Sequence, residues 1–256
     1  MTRHFLLLVL SWLFVGLGSA PARADIFPRQ PGIDVEHYVF RVGLSDATDE
    51  ISGEATIQVR FRADGLTEVA LDLASASAGT GMTVTAVTAI AATPGGQSLA
   101  FVHQDDRLRV TLPTPSRAGD LGGFTVAYHG EPASGLSIGS NKHGERSFFS
   151  HNWPHRARQW LPTVDHPYDK ATSEFIVTAP SHYQVVSNGL LQETVDLPGG
   201  LRRTHWKQSV TIASWLNALG AARFAVHHAG EVAGVPLQTW VFHQDRDAGI
   251  RDFEPP

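Results

Sequence analysis

Residues 54–61 read EATIQVRF, with Ala55, Ile57, Val59 and Phe61 apolar and Glu54, Thr56, Gln58 and Arg60 polar between them. Side chains that change face at every step mark a strand buried on one side of a sheet. Just upstream, HYVFRVGL at 37–44 sets Tyr38, Phe40, Val42 and Leu44 against Val39, Arg41 and Gly43. The two runs predict adjacent strands that share one dry face. Working outward, short apolar runs follow at 69–73, 82–87, 99–102, 108–112 and 124–128, then at 175–179, 183–186, 201–207, 224–227 and 237–242. Turn signals such as Ala63-Asp64-Gly65, Pro94-Gly95-Gly96 and Ser187-Asn188-Gly189 separate them. Many short strands without a long helix predict an all-β fold, an antiparallel β-sandwich or saddle-like double sheet. One short helix is expected at 212–219, stopped by Gly220, and the first turns of another at 245–253.

The 256 residues are 42% hydrophobic and 18% charged, an ordinary globular composition. A net charge of −5 with scattered lysines and arginines leaves no basic stripe for a phosphate backbone, so nucleic acid is not an expected partner. The absence of cysteine excludes disulfides, thiol catalysis and Cys-ligated zinc. At the N-terminus, positive residues up to His4, an apolar run over 5–17 and Ala22-Arg23-Ala24 have the three regions of a secretory signal peptide. The expectation is therefore a signal peptide at 1–24, cleavage before Asp25, and a periplasmic or secreted protein with no membrane span after cleavage.

Three familiar chemistries can be weighed on spacing. Gly135-Leu136-Ser137-Ile138-Gly139 matches G-x-S-x-G, but that motif works on a strand-to-helix turn, whereas Ser140-Asn141-Lys142-His143-Gly144 starts no helix. It is expected to be a glycine-rich hairpin. His151 and His155 have the i, i+4 spacing of metal ligands on a helix, yet Pro154 lies between them; His227 and His228 are adjacent in a strand and point to opposite faces. No metal ligands and no catalytic residues are assigned. Acidic residues such as Glu54, Glu68 and Asp72 are expected to be solvated.

The densest stretch is HNWPHRARQWLPTVDHPYDK at 151–170. Pro154, Pro162 and Pro167 hold the residues before them extended, which makes this a stiff, non-helical path. Arg156 and Arg158 can stack on Trp153 or Trp160 while pairing with Asp165 or Asp169, so the segment reads first as a structural cross-brace.

The order Ala157-Arg158, Leu161-Pro162, Asp165-x-Pro167, Lys170-Ala171, a strand ending at Pro180 and Val186-Ser187-Asn188-Gly189 resembles the N-terminal domain of the aminopeptidase N family of zinc metallopeptidases (gluzincins). The likeness begins at Tyr38, Gly53 and Leu71-Asp72-Leu73 and continues through Ala213-Ser214-Trp215-Leu216 to Gly220 and Phe224. It implies a β-sandwich at 25–244 that packs against a thermolysin-like catalytic domain, with 245–256 as that domain's beginning. It also implies that zinc, held by H-E-x-x-H and a more distant Glu, and the G-x-M-E-N exopeptidase loop belong to the catalytic domain. None of those motifs occurs in this sequence, so the chain is expected to be non-catalytic on its own, without a cofactor. Peptides would be the substrate. The family's stretch that binds the substrate's α-amino group, aligned on Arg158, falls on His151, Asn152 and Trp153; Trp153 offers a cation–π face where the family has a carboxylate. A second expectation from another class is a free-standing secreted β-sandwich that binds a peptide or protein.

Overall fold

The computed structural model describes residues 29–90 and 96–253. The expected signal peptide and its cleavage site lie outside the described residues. In chain order the strands are β1 (Ile33–Gly43), β2 (Ile51–Phe61), β3 (Glu68–Asp72), β4 (Gly81–Ala89), β5 (Phe101–Gln104), β6 (Arg107–Thr111), β7 (Leu121–Glu131) and β8 (Leu136–Ser140). They continue with β9 (Arg146–Ser150), β10 (Lys170–Pro180), β11 (Gln184–Ser187), β12 (Leu190–Leu197), β13 (Leu201–Ala213), β14 (Leu219–Ala222), β15 (Phe224–Val232) and β16 (Val235–Phe242). A single α-helix among the described residues, α1 (Arg246–Asp252), follows.

A seven-stranded sheet in the order β12-β13-β10-β1-β2-β7-β4 spans the molecule, as the alternation in 37–44 and 54–61 requires. Its inner face carries Phe40, Ile57, Phe124 and Phe175, all essentially buried. Two smaller sheets, β3-β6-β5 and β11-β14-β9-β8, add Leu71, Leu108 and Phe148 to the same continuous core. Each such side chain taken from water contributes roughly 1.5–3 kcal/mol, which is how a chain without disulfides holds together. The mostly antiparallel, all-β class is the expected one, built here from several sheets and not two. Its one parallel pairing among the described ladders is β1 with β10, in register from His37↔Thr172 to Gly43↔Thr178. A parallel neighbour needs a long crossover, and here strands β2 to β9 and the 151–169 segment lie between the two strands in sequence. That segment is therefore drawn across the end of the core.

Two local features depart from the sequence reading. The predicted helix at 212–219 is absent: β13 runs on to Ala213, a 3-10 turn covers Ser214–Leu216, and β14 begins at Leu219. Pairing with β10 through Lys170↔Ala213 outweighs a helical pattern too short to nucleate. The edge strand β12 shows no alternation and escapes sequence reading because most of it is exposed. Finally, β15 and β16 hydrogen-bond only to each other. Rings attach this hairpin to the rest: Phe149 meets Phe224 at 5.9 Å and Phe242 at 6.2 Å, and Trp206 meets Trp240 at 6.3 Å. Ladder continuity with the other sheets thus ends at Ala222.

Gly53 of β2 lies against the ring of Tyr128 of β7, where a Cβ would come within 2.2 Å of Cζ. Tyr128 is itself buried and cannot step aside. Gly53→Ala is expected to lower the unfolding free energy by about 1–3 kcal/mol, the usual cost of overpacking, measured by urea denaturation; an unchanged midpoint would contradict this packing.

Candidate functional site

The site is built on a carboxylate that sequence reading places in solvent. Asp72, the last residue of β3, is buried. Its backbone pairs with Thr163, N–H to O at 2.7 Å and the reverse at 3.2 Å, which joins the proline-stiffened segment to the three-stranded sheet. Asp72 Oδ1 accepts from Arg158 Nη1 at 3.4 Å and from Arg107 Nη1 of β6, while Oδ2 accepts the Asp165 N–H at 2.9 Å. Arg158 leaves a short 3-10 helix, Ala157–Gln159. It donates Nε to Asp165 Oδ2 at 3.1 Å and Nη2 to the Asp165 carbonyl at 3.0 Å. Asp165 Oδ1 takes the Ser214 hydroxyl at 2.7 Å, and the Val164 N–H donates to the Tyr38 hydroxyl at 3.0 Å.

Two arginines and two aspartates thus meet below the surface, with their oxygens satisfied by named donors. Desolvation of such charges is offset only by this kind of geometry. The cross-brace expected from 151–170 exists, and Arg158 pairs with Asp165 as expected. Arg156, by contrast, is exposed, and Asp169 turns to the Val35 N–H at 3.3 Å instead.

The brace carries a rim. Asn152 is buried, accepts the Trp160 indole N–H at 2.9 Å and donates Nδ2 to the Asn217 carbonyl at 2.6 Å. Asn217 Oδ1 accepts from Ser173 Oγ at 2.9 Å, and its N–H returns to Ser214 at 3.1 Å. Two loops far apart in sequence, around 152 and 214–217, are thereby clamped together. The residues beside the clamp point outward. His151 is exposed and anchored by its N–H to the Gly135 carbonyl at 2.7 Å. Trp153 is 56% exposed and meets Trp215 edge-on at 6.4 Å. Of the three expected substrate-facing residues, His151 and Trp153 occupy the outer rim, whereas the side chain of Asn152 holds the rim from beneath.

Elsewhere the geometry is simpler. Ser137 is exposed on β8, in a β8–β9 hairpin and not on a strand-to-helix turn, which removes the G-x-S-x-G chemistry. Among the described residues, no three or more His, Asp or Glu side chains are grouped to hold a metal ion. A zinc site therefore does not fit the residues described. The residues that sequence reasoning missed are Asp72, Ser214 and Asn217. For Asp72 the signal was there: a strand with Val69, Leu71 and Leu73 on one face and Ala70 on the other is dry on both sides.

Residues 34–216 match the family model of the Peptidase M1 N-terminal domain. Aminopeptidase A of Gloydius brevicauda is 27% identical over 132 residues, 52% of this chain and 13% of its own. Glutamyl aminopeptidase of Bitis rhinoceros is 26% identical over the same length and shares. Among solved structures, an M1 zinc metallopeptidase from Deinococcus radiodurans superimposes with a TM-score of 0.69 at 27% identity, covering 84% of this chain and 48% of that one. A two-domain M1 zinc metallopeptidase mutant bound to L-tryptophan matches equally, with a TM-score of 0.69, 26% identity, 84% of this chain and 49% of its own. The chain thus spans about an eighth of these curated relatives and about half of these solved ones.

Removing one partner from a buried charge pair strands the other. Asp72→Ala is expected to cost about 3–5 kcal/mol of unfolding free energy, and the exposed Trp153→Ala less than about 0.5 kcal/mol, both by urea denaturation. Equal losses at the two positions would contradict the division into brace and rim.

Proposed function

Because the chain belongs to the Peptidase M1 N-terminal domain family, we propose that it is the non-catalytic N-terminal domain of an exported zinc metallo-aminopeptidase, an enzyme that hydrolyses N-terminal residues from peptides. The observation that carries this reading is the match over 34–216, a span that contains the intact brace. The zinc, its ligands and the general base belong in this reading to a thermolysin-like catalytic domain. The signal-like residues 1–24 support export to the periplasm or beyond, and no helix among the described residues is long and apolar enough to cross a membrane.

The chain's own contribution is positional. Arg158, Asp165 and Asp72 fix the path of 151–165, Asn152 and Asn217 fix the rim, and the rim presents His151 and Trp153 as one wall of the substrate cleft. An ammonium held over an indole face gains about 0.5–2 kcal/mol. That is weaker than a carboxylate partner but is selective for a cation. A free amine is the group such a wall would favour.

Metal analysis of the purified chain should find zinc far below one per polypeptide, and aminoacyl-p-nitroanilides should not be hydrolysed. One tightly held zinc with chelator-sensitive hydrolysis would overturn the assignment. When the chain is joined to a thermolysin-like M1 catalytic domain, Trp153→Ala should raise KM roughly 2- to 30-fold with little change in kcat. An unchanged KM would remove Trp153 from the cleft.

A further inference from the structure

Residues 223–253 fold into a unit of their own. β15 and β16 pair from Phe224↔Phe242 at the base to Val232↔Val235 at the tip, and α1 folds back on β16, with Gly249 against Val241. The His243 N–H donates to the Arg223 carbonyl at 3.0 Å and closes the base. Among the described residues, none of 223–253 is buried, and the backbone hydrogen bonds of this unit stay within it. A two-stranded hairpin is marginal in water unless something else packs against it.

A seam of side chains joins the unit to the body. Phe149 of β9 meets Phe224 and Phe242 edge-on, and those two rings stack on each other at 5.9 Å. Trp206 and Trp240 meet across the seam, but each indole N–H is satisfied on its own side, by the Val185 carbonyl and by Gln238 Oε1. The seam is incompletely filled: a cavity of about 380 Å³ is lined by Ile138, Ser147 and Phe149 of the body and by Phe242 of the unit.

Beside the rings the two parts exchange charged side chains. Asn141 Oδ1 accepts the N–H groups of His143 and Glu145 and so shapes the β8–β9 turn that presents both side chains. The 3-10 turn after β16 presents His243 and Asp245 at the same spacing. His143 Nε2 donates to Asp245 Oδ2 at 2.9 Å, and His243 Nε2 donates to Glu145 Oε1 at 3.0 Å, so each histidine takes the other turn's acid. Lys142 joins Asp245 at 2.7 Å, and Arg223 approaches Glu145 at 3.7 Å. The bond from His243 holds the Glu145 carboxyl below its ordinary value, and the bonds from His143 and Lys142 do the same for Asp245.

We infer that residues 223–253 are a hinged flap, latched to the body by these crossed histidine–carboxylate pairs, which swings between Ala222 and Arg223 without unfolding of the other sheets. This inference goes beyond the functional reading and does not depend on it. An element with no buried side chain, an unfilled seam and no backbone bond across that seam is drawn from the low-stability end of a structure. The latch pairs are partly exposed, so each shifts the balance of closed and open roughly 1.5- to 5-fold. Breaking both should raise the open fraction roughly 2- to 25-fold.

Thiol labelling of the full chain tests this, because the sequence has no cysteine of its own. Ser147 is 6% exposed and faces the seam cavity, so Ser147→Cys places a thiol that flap opening uncovers. Ala55 is fully buried in β2, so Ala55→Cys, made in a separate chain, is uncovered only by unfolding of the body. With Glu145→Ala and Asp245→Ala added, labelling of Ser147→Cys should speed up roughly 2- to 25-fold while labelling of Ala55→Cys keeps its rate. Labelling of Ser147→Cys at the rate of a free thiol in the latched chain, an unchanged rate when both acids are removed, or an equal rise at Ala55→Cys would each overturn the flap.

Discussion

Asp72 stands at the centre of this molecule because it is a buried carboxylate on which three chain segments converge. Arg107 and Arg158 both donate to it, and Asp165 offers its backbone N–H, so strand β6, the 157–165 segment and β3 converge on one carboxylate. A hydrophobic residue there would pack, but it would leave Arg107 without its acid and Arg158 with Asp165 alone. Burial makes the arrangement costly, and the same burial makes it specific: few chain paths place two arginines and two aspartates within bonding distance. Because β1 and β10 are parallel, the chain has to return before β10 begins, and the ion network holds the last part of that return, 157–165, against β3 and β6.

From that constraint the rim follows. Asn152 and Asn217 are bonded to each other and to Trp160 and Ser173, all within reach of the braced segment. The side chains that reach solvent, His151 and Trp153, do so from a backbone that has little freedom. A wall of a binding cleft needs that stiffness more than it needs reactive groups. The braced segment and its rim lie largely within the 34–216 span that matches the family.

Much of the fold was legible in the sequence, for reasons particular residues make plain. Ala55, Ile57, Val59 and Phe61 are all buried and alternate without error, so β2 could be read directly. Proline spacing in 151–170 disclosed a rigid path, and the pairing of Arg158 with Asp165 was foreseeable from their closeness in sequence. What could not be read depends on long-range contact. Asp72 lies 86 residues from Arg158, and no local pattern announces that pairing. The strand β12 is exposed over most of its length, so it carries no apolar period. Residues 212–219 have a helix-like composition, and only the ladder to β10 shows why they extend. Asn152 was grouped with its neighbours by position, but its side chain faces the other way.

The most direct measure of the ionic brace is a double-mutant cycle between Asp72 and Arg158, using Asp72→Asn, Arg158→Met and the pair, each followed by urea denaturation. If the two charges act as one unit, the coupling energy should exceed about 1 kcal/mol, with the double variant less damaged than the sum of the singles. Additivity within about 0.5 kcal/mol would mean that the two side chains do not depend on each other, and that something other than this ion network holds the crossing segment in place.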